Sequence, residues 1–590
     1  MVKFQNLAEL FEFGVKTYRN PKLLNYKSQG VWKSISADEA FNRVKNIALG
    51  LYSLGIKFGD KIALLSESRP EWTLTDLGII SIGAIDVPIY TTQSLPQVEF
   101  ILTNSESKMI FISTKQLYER VLPVIEKVGL VDKVITFEKS ADNLMTLEEL
   151  EEKGKELDKN NPNLYDELKS KVKPDDLATI IYTSGTTGEP KGVMLTHSNL
   201  ISNATTCASL FTWDAEKEIA LTYLPLSHIF ERMIIYLYLY IGIQIWYAES
   251  IDKLADNLLE VRPTVMTTVP RFLEKAEERM IAQVQKMSPL KRKIFNWALN
   301  IAKQYDPEKR FPLSYKIKHK LADILVYKKI RQRFGGRFRF IVSGGAALRP
   351  DLARIFTAAG IPVLQGYGLT ETSPVISVNR LERNRIGSVG PVIPGVAVKI
   401  AEDGEILVDG PNVMKGYYKN EEATLKAFEH TWFKTGDIGY LDKDGFLFIT
   451  DRKKDLIKTS GGKFIAPQVI ENLLSSNVYI DKAIVIGEGR KFASALIFPN
   501  FETLKQFAHE NNITYSNNAE LINHPKVQEL YQKIVDQVNQ HLAQWETIKK
   551  FAVIDGVLTI EDDYLTPTLK VKRRNVEARY KDLIDSFYKE

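Results

Sequence analysis

The stretch Leu177-Ala-Thr-Ile-Ile-Tyr-Thr-Ser-Gly-Thr-Thr-Gly-Glu-Pro-Lys191-Gly192 passes from an apolar run into a loop of glycines and hydroxyl side chains. The apolar half predicts a buried strand of an α/β sheet. In the loop that follows, backbone N–H groups and hydroxyls can bind a polyphosphate, and a lysine can neutralise its charge. Pro190, directly before Lys191, excludes a Walker A loop, which needs a Gly-Lys-Ser/Thr ending. A solvated turn between a strand and a helix is the alternative.

The length of the chain, 590 residues, exceeds what one ordinary core supports and predicts two or more domains. With 44% hydrophobic residues and no long low-complexity tract, the chain should be globular throughout. Cys207 is the only cysteine, so a disulfide within the chain is excluded. Glu9 and Glu12 lie where a secretory signal needs an apolar core. These features predict a cytoplasmic protein.

The most apolar segment, residues 233–247, does not predict a membrane span. It is shorter than the roughly 18 apolar residues that a span needs. Gly242 and Gln244 also interrupt it. A buried helix followed by a buried strand is the better prediction.

Positive charge is concentrated between Lys286 and Arg339, where sixteen Lys/Arg face three acids, although the whole chain carries only +5. The same segment contains Phe295, Trp297, Phe311, Tyr315, Tyr327 and Phe334. Basic and aromatic side chains together suit the surface of an anionic membrane. A solvated helical face is the alternative. Nucleic acid is not favoured, because no recognition motif accompanies the charge.

The first half of the chain alternates between helical and strand patterns. A capping box, Ser36-Ala-Asp-Glu39, opens a helical pattern that Gly55 ends. Strand-like runs begin at Lys61, Met109, Ile219, Thr264 and Phe338. Such alternation predicts an α/β domain of largely parallel sheets, with ligands at the carboxyl ends of the strands. Two further glycine motifs, at 343–347 and 365–372, follow the strand-like runs that end at Val342 and Leu364.

The second half changes character. Short strands and Asp-Gly turns between residues 387 and 450 predict a small β-rich subdomain. A charged stretch, 451–463, predicts a hinge, and residues 464–590 suit a small α+β domain. The predicted domains are therefore 1–450, with the subdomain at about 387–450, and 464–590.

Six motifs in chain order resemble those of the AMP-forming, adenylate-forming superfamily, also called the AMP-binding enzymes. They are the loop at 182–192, Tyr223-Leu-Pro-Leu-Ser-His-Ile-Phe-Glu-Arg232, Gly344-Gly-Ala346, Gln365-Gly-Tyr-Gly-Leu-Thr-Glu-Thr372, Thr435-Gly-Asp437 with the hinge Asp451-Arg452, and Pro567-Thr-Leu-Lys-Val-Lys-Arg573. Two details resemble long-chain fatty acid–CoA ligases in particular. One is the form of the motif at Ser227–Arg232, and the other is Leu569 before Lys570, a position at which many relatives have glycine. The resemblance covers nearly the whole chain.

The resemblance implies a large N-terminal domain, a small mobile α+β lid, and a reaction in two steps. A long-chain fatty acid and ATP would give acyl-adenylate and pyrophosphate, with Mg²⁺ as cofactor. CoA would then take the acyl group and release AMP. Other carboxylic acids, a carrier-protein acceptor and, from another class, a non-catalytic acyl- and nucleotide-binding protein are the alternatives. A monomer and a homodimer both stay open.

The resemblance also implies roles for particular residues. The catalytic candidates are Lys570, Glu371 and His228. The nucleotide and CoA candidates are Thr183, Ser184, Gly185, Thr186, Thr187, Gly188, Lys191, Gly344, Gly345, Ala346, Gln365, Gly366, Tyr367, Gly368, Thr370, Asp437, Arg452, Lys458 and Lys463. Glu371 is also the Mg²⁺ candidate, and Lys454 is the candidate hinge pivot.

Each role has a physical reason of its own. Glu371 offers hard oxygen to Mg²⁺, and Asp437 can accept hydrogen bonds from both ribose hydroxyls. An ammonium at Lys570 would stabilise the charge that builds when a carboxylate attacks the α-phosphate. Lys463 replaces an arginine of some relatives and cannot form the same bidentate contact. His228 could line the acyl channel, contact the carboxylate or serve only as a structural hydrogen-bonder.

Overall fold

The computed structural model describes residues 4–141, 144–183, 190–453, 455–461, 463–559, 562–565 and 571–589. It divides into two compact units. The first contains residues 1–399, 407–435 and 442–447, and the second contains residues 400–406, 436–441 and 448–590.

The strands are β1 (Leu24–Ser28), β2 (Val31–Ile35), β3 (Lys61–Leu65), β4 (Ile85–Ile89), β5 (Met109–Ile112), β6 (Lys133–Thr136), β7 (Met145–Thr146), β8 (Leu177–Thr183), β9 (Lys191–Thr196), β10 (Ile219–Thr222), β11 (Gln244–Tyr247), β12 (Val265–Thr268), β13 (Phe340–Ser343), β14 (Val363–Gly368), β15 (Val375–Val378), β16 (Ala397–Ile400), β17 (Glu405–Asp409), β18 (Gly416–Tyr417), β19 (Phe428–Glu429), β20 (Trp432–Leu441), β21 (Leu447–Arg452), β22 (Ile457–Lys458), β23 (Phe464–Ile465), β24 (Ile480–Ile486), β25 (Ala493–Pro499) and β26 (Ile548–Val553).

The α-helices are α1 (Leu7–Tyr18), α2 (Ala37–Ser53), α3 (Pro70–Ser81), α4 (Leu95–Ser105), α5 (Lys115–Val128), α6 (Leu147–Asn160), α7 (Leu164–Lys171), α8 (His197–Ser209), α9 (Ile229–Ile241), α10 (Leu254–Val261), α11 (Pro270–Gln285), α12 (Pro289–Ala302), α13 (Leu313–Ala322), α14 (Lys328–Arg333), α15 (Pro350–Ala358), α16 (Glu421–Ala427), α17 (Pro467–Ser475), α18 (Phe501–Glu510), α19 (Asn518–Asn523), α20 (Pro525–Asn539), α21 (Arg573–Arg579) and α22 (Lys581–Ser586). A π-helix covers Asp323–Tyr327 and a 3₁₀ turn covers Thr370–Thr372.

Two eight-stranded sheets form the first unit. Their strand orders are β15-β14-β13-β12-β10-β11-β1-β2 and β18-β9-β8-β4-β3-β5-β6-β7. In the first sheet, β10 to β14 run parallel to one another, so their carboxyl ends lie along one edge, and β15 is antiparallel to β14. The mixed α/β fold with largely parallel sheets is therefore confirmed.

Most strand predictions match the observed elements. The runs that begin at Lys61 and Met109 form β3 and β5, and the apolar segment forms α9 followed by β11. Ser36 caps α2 by accepting a hydrogen bond from the Glu39 backbone N–H at 3.1 Å. Within the described residues, no helix is long and apolar enough to cross a membrane.

Helix α9 is buried along most of its length and is anchored to strands of both sheets by two adjacent charged residues. Glu231 accepts hydrogen bonds from Thr222 on β10 and Thr267 on β12, both at 2.5 Å. Arg232 forms an ion pair at 2.9 Å with Asp86 on β4 of the other sheet. Adjacent side chains on a helix diverge by about 100°, so neighbours in sequence can reach opposite layers. Glu231 and Arg232 belong to the motif at 223–232, yet both act in the architecture.

Burial raises the pKa of Glu231 from its ordinary value of 4.5 to about 7. A raised folded-state pKa contributes stability that is present below pH 4.5 and is lost as the pH rises through 7. Replacing Glu231→Gln should remove this dependence, because the amide is neutral and can still bond both threonines. We expect the stability of the wild type, relative to the variant, to fall by on the order of 3 kcal/mol from pH 4.5 to pH 8. Calorimetric unfolding of both proteins across that range measures it, and parallel pH profiles would contradict it.

The remaining strands form smaller sheets. Strands β16, β17, β19, β20 and β21 make a five-stranded sheet, as the predicted β-rich subdomain requires. In the second unit, β24, β25 and β26 form a three-stranded sheet in which β24 is antiparallel and β26 parallel to β25. Ile470 of α17 and Tyr531 of α20 are buried in its core. The carboxyl-terminal part of the chain is thus α+β.

Candidate functional site

Both ends of the predicted phosphate loop are fixed by an antiparallel hairpin. Thr183 at the end of β8 pairs in register with Lys191 at the start of β9. The Thr183 hydroxyl donates to the Lys191 carbonyl oxygen at 3.5 Å. The alternative of a turn between a strand and a helix does not apply, because the strand β9 intervenes before α8 begins at His197. The loop candidates Ser184, Gly185, Thr186, Thr187 and Gly188 lie outside the described residues.

Lys191 and Glu371 are brought together through Tyr417. The Lys191 Nζ lies 5.2 Å from the centroid of the Tyr417 ring. The Tyr417 hydroxyl donates to Glu371 Oε1 at 2.9 Å. Burial, and then the Glu371 charge, raise the pKa of Tyr417, so the phenol stays protonated as a donor. Tyr417 sits on β18, directly opposite Val193 of β9. This link between the two predicted residues was not expected from the sequence.

Replacing Tyr417→Phe removes the hydroxyl that orients Glu371 and keeps the ring beside Lys191. A hydrogen bond to a charged group contributes about 1.5 kcal/mol, so we expect about a tenfold loss of activity. Because Glu371 is the Mg²⁺ candidate, the Mg²⁺ concentration for half-maximal rate should also rise. Pyrophosphate release across a Mg²⁺ titration measures both effects. Tyr418→Phe is the matched control, and equal losses in the two variants would contradict a positioning role for Tyr417.

The glycine motifs lie at the carboxyl edge of the first sheet, where backbone segments approach closely. The Gly344 N–H donates to Thr268 O on the neighbouring strand at 3.0 Å. A Cβ at Gly344 would lie 3.0 Å from the Phe230 ring, and one at Gly368 only 1.8 Å from Pro374 O. A methyl group at 368 is therefore excluded by backbone, which does not yield easily. Position 368 therefore requires glycine, whereas at 344 the Phe230 ring would have to shift slightly to admit a side chain.

The other candidates of this edge follow from the same two strands. Gln365 on β14 is in register with Ser343 on β13, immediately before Gly344. The remaining members are Gly345 and Ala346 after β13, Gly366 and Tyr367 within β14, and Thr370 in the 3₁₀ turn that also carries Glu371. The structure thus places the two glycine motifs side by side, and Glu371 follows the second motif directly in the chain.

Helix α8 fixes the segment that follows Glu371. Asn203 accepts a hydrogen bond from the Val375 N–H at 3.1 Å and donates to the Val375 carbonyl at 2.8 Å. Asn412 donates to the carbonyl of Thr372 at 2.9 Å. The backbone around Glu371 is therefore held from two sides by amide side chains.

His228 serves as the N-cap of α9. Its Nδ1 accepts a hydrogen bond from the Phe230 N–H at 3.2 Å. The side chain is half-buried and lies just after β10, at the same strand edge as Gly344. The structural alternative for His228 thus has a direct observation behind it, while a role toward a carboxylate substrate stays a prediction.

In the second unit, the ribose candidate Asp437 pairs with Arg452. The Arg452 Nε lies 3.2 Å from Asp437 Oδ1, and Asp437 is almost fully buried. Glu405, which the sequence did not single out, ties the same region together. It accepts from the Gly436 N–H at 2.9 Å and pairs with Lys453 at 2.6 Å. The motif at 435–437 and the start of the hinge are thus one hydrogen-bonded group.

The CoA candidate Lys458 on β22 pairs with Phe464 on β23, which follows the other CoA candidate, Lys463. The Thr459 N–H donates to the Lys463 carbonyl oxygen at 2.9 Å. The Lys463 Nζ lies 5.3 Å from the centroid of the half-exposed Trp545 ring. The pivot candidate Lys454 and the catalytic candidate Lys570 lie outside the described residues.

The described residues contain no group of three or more His, Cys, Asp or Glu side chains that could hold a metal ion. A single carboxylate is nevertheless what a nucleotide-borne Mg²⁺ needs, because phosphates and water fill its other positions. Glu371 fits that requirement, since its carboxylate is only half-buried and one oxygen is oriented by Tyr417.

Glycine motifs at the carboxyl ends of parallel strands are typical of nucleotide-binding α/β proteins. The AMP-binding enzyme family matches residues 14–418, and the AMP-binding enzyme C-terminal domain matches residues 454–590. The chain belongs to the AMP-binding enzyme family.

Relatives of similar length support this membership. The chain is 36% identical over 564 residues to the long-chain-fatty-acid–CoA ligase FadD15 of Mycobacterium bovis, covering 95% of this chain and 93% of the relative. It is 33% identical over 604 residues to the fatty acyl-CoA synthetase A of Dictyostelium discoideum, covering 96% and 88%.

Solved structures support the fold. The adenylation domain of a carboxylate reductase from Mycobacterium chelonae matches with a TM-score of 0.75 at 20% identity, covering 99% of this chain and 91% of that domain. The anthranilate CoA ligase AuaEII, solved with anthranoyl-AMP, matches with a TM-score of 0.71 at 19% identity, covering 99% of each chain.

Proposed function

We propose that this protein is a long-chain fatty acid–CoA ligase that forms acyl-adenylate from ATP and then acyl-CoA, AMP and pyrophosphate. The observation that carries the proposal is identity of 30–36% over nearly the whole chain to proteins named for this activity or as acyl-CoA synthetases. The Lys191–Tyr417–Glu371 cluster gives it a chemical basis in this chain.

In the first step, the fatty acid carboxylate attacks the α-phosphorus of ATP, the bond to the bridging oxygen breaks, and pyrophosphate leaves. The loop from Thr183 to Lys191 would hold the departing phosphates through N–H groups and hydroxyls, and Lys191 would neutralise part of their charge. Gly344 to Ala346 and Gln365 to Gly368 would receive the adenine. Bound Mg²⁺ would supply further neutralisation of the β- and γ-phosphates. Most of the rate enhancement would come from positioning and charge.

The second unit would supply the remaining contacts. Asp437 would accept hydrogen bonds from the ribose hydroxyls, and Arg452, which pairs with it, would contact the nucleotide. Lys570 would bridge the carboxylate and the α-phosphate during adenylation and withdraw before the second step. Rotation about Lys454 would replace Lys570 in the active site by Lys458 and Lys463. The CoA thiol would then attack the acyl carbonyl carbon and displace AMP.

The proposal extends to location and partners. The protein would be cytoplasmic, with peripheral contact through residues 286–339 at the anionic inner face of the membrane. Fatty acid, ATP and CoA would be its partners, and its domains would be 1–450 and 464–590 with the hinge at 451–463 between them.

Product analysis separates the acceptors. Palmitate and ATP are supplied with CoA, with a phosphopantetheinylated carrier protein, or with neither. We expect a thioester only with CoA, and acyl-adenylate without an acceptor. Transfer to the carrier protein at a higher rate than to CoA would overturn the proposed acceptor, and no adenylate from any acid would overturn the ligase class.

A further inference from the structure

The aromatic side chains named for the basic segment 286–339 are buried or half-buried. Tyr315 donates to the carbonyl oxygen of Ile301 on α12 at 2.9 Å and stacks on Phe311 with ring centroids 4.0 Å apart. Tyr327 is fully buried and Phe334 nearly so. Tyr315 and Tyr327 therefore tie this segment to α12, and its contact with a membrane stays a prediction.

Aliphatic side chains take the outward face instead. Leu313, Ile317, Leu321 and Ile324 recur at spacings of four, four and three residues, which place them on one face of α13 and the π-helix that continues it. Their exposed fractions are 73%, 60%, 48% and 61%. Four exposed aliphatic residues in one row form a contiguous apolar stripe, which marks an interaction surface. We call these four residues the α13 stripe.

Lysines border the α13 stripe. They are Lys316, Lys318, Lys320, Lys328 and Lys329, all exposed. The acids of the segment are already paired: Asp306 with Lys309, Glu308 with Arg385, and Asp323 with Arg331. The exposed face of α13 therefore carries an apolar row that is bordered by lysines, while the acids of the segment are paired elsewhere.

The back of α13 is held firmly, so the stripe is presented by a fixed helix. His319 is hydrogen-bonded to the Ala358 carbonyl at 3.0 Å and lies between Tyr305 and Tyr327. Ala322 and Val326 are buried on the same side. The arrangement matches an interfacial helix, with an apolar face, a basic border and a rigid support.

We propose that the α13 stripe inserts into the surface of an anionic phospholipid membrane while the bordering lysines contact its headgroups. A second copy of the chain fits less well, because pairing two such faces would bring like charges together. The inference deepens the proposed function, since long-chain fatty acids partition into bilayers and the docked helix would bring the enzyme to them.

Vesicle co-sedimentation tests the proposal on the full chain. Phosphatidylcholine vesicles are compared with vesicles containing 30% phosphatidylglycerol, at low and high salt, for four proteins. They are the wild type, an apolar-face variant (Ile317→Asn, Leu321→Asn, Ile324→Asn), a charge variant (Lys316→Gln, Lys318→Gln, Lys320→Gln) and a matched control (Val31→Asn, Ile251→Asn, Leu425→Asn). The control residues are 63%, 73% and 70% exposed and lie on other surfaces.

We expect the wild type and the control to bind anionic vesicles equally. The apolar-face variant should lose binding on the order of 100-fold, at about fivefold for each side chain withdrawn from the interface. The charge variant should lose about fivefold for each lysine, and its binding should respond less to salt than that of the wild type. Since all substituted residues are exposed, the thermal midpoints of the four proteins should coincide.

Three outcomes would overturn the proposal. Equal binding by the wild type and the apolar-face variant would show that the α13 stripe does not contribute and that charge alone binds the vesicles. A concentration-dependent dimer that the apolar-face variant loses would assign the stripe to a second copy. Lack of binding by the wild type to any vesicle would exclude a membrane as the partner of the stripe. ATP–pyrophosphate exchange with palmitate is measured in parallel without vesicles. Retained exchange leaves the proposed function intact, whereas its absence in all four proteins would count against that function.

Discussion

Lys570→Ala is expected to lower acyl-adenylate formation by about 10³-fold while leaving acyl transfer from preformed adenylate to CoA within a few-fold of wild type. The side chain would act only while charge builds between the carboxylate and the α-phosphate, so its loss should raise the barrier of that step alone. ATP–pyrophosphate exchange reports the first step. Synthetic palmitoyl-AMP mixed with CoA reports the second step.

Lys572→Ala is the matched control for this prediction. Lys572 lies two residues further along the chain and pairs with Asp563, so its removal takes away the same charge at a neighbouring place. The control should keep both steps. If Lys570→Ala slowed both steps to a comparable extent, the result would contradict the proposal that Lys570 leaves the active site after the first step and that the CoA-binding residues replace it.

Glu371→Gln is expected to reduce adenylation by about 10²-fold or more and to shift its Mg²⁺ dependence to higher concentration. The substitution keeps the size of the side chain, and the amide oxygen can still accept the Tyr417 hydroxyl. The loss would therefore come from the charge that faces the nucleotide-borne cation, and binding of ATP without metal should change little. Exchange rates across a Mg²⁺ series measure the effect.

Glu382→Gln provides the comparison, since Glu382 is an exposed carboxylate of the same unit. It should leave the rate and the Mg²⁺ dependence unchanged. If Glu371→Gln altered the rate without moving the Mg²⁺ dependence, Glu371 would act in a way other than through the metal.

Local patterns predicted the elements of the fold well and their connections less well. Strands β3 and β5 are short, apolar and bounded by polar residues, so their bounds follow from hydrophobic runs alone. The pairing of β8 with β9 was not predicted, because no local pattern shows that a second strand follows the loop and pairs with the first. The central place of α9 also depends on contacts of Glu231 and Arg232 with strands far away in sequence, which no local pattern records.

The candidate site shows the same division. The glycine motifs and Glu371 could be selected because their residue types have a direct use toward phosphate and metal. Tyr417 could not, since it lies 46 residues from Glu371 and neither its surroundings nor its residue type signals a role. In the segment 286–339, composition indicated a charged surface, but it could not show that Tyr315 and Tyr327 bond to α12 or that aliphatic residues of α13 face outward.

Fatty acid-dependent ATP–pyrophosphate exchange tests the central claim most directly. The purified protein is incubated with ATP, labelled pyrophosphate, Mg²⁺ and a panel of carboxylic acids that covers short, medium, long and aromatic types. The account predicts exchange that requires an acid and is fastest with long-chain fatty acids. Absence of exchange with every acid would contradict it.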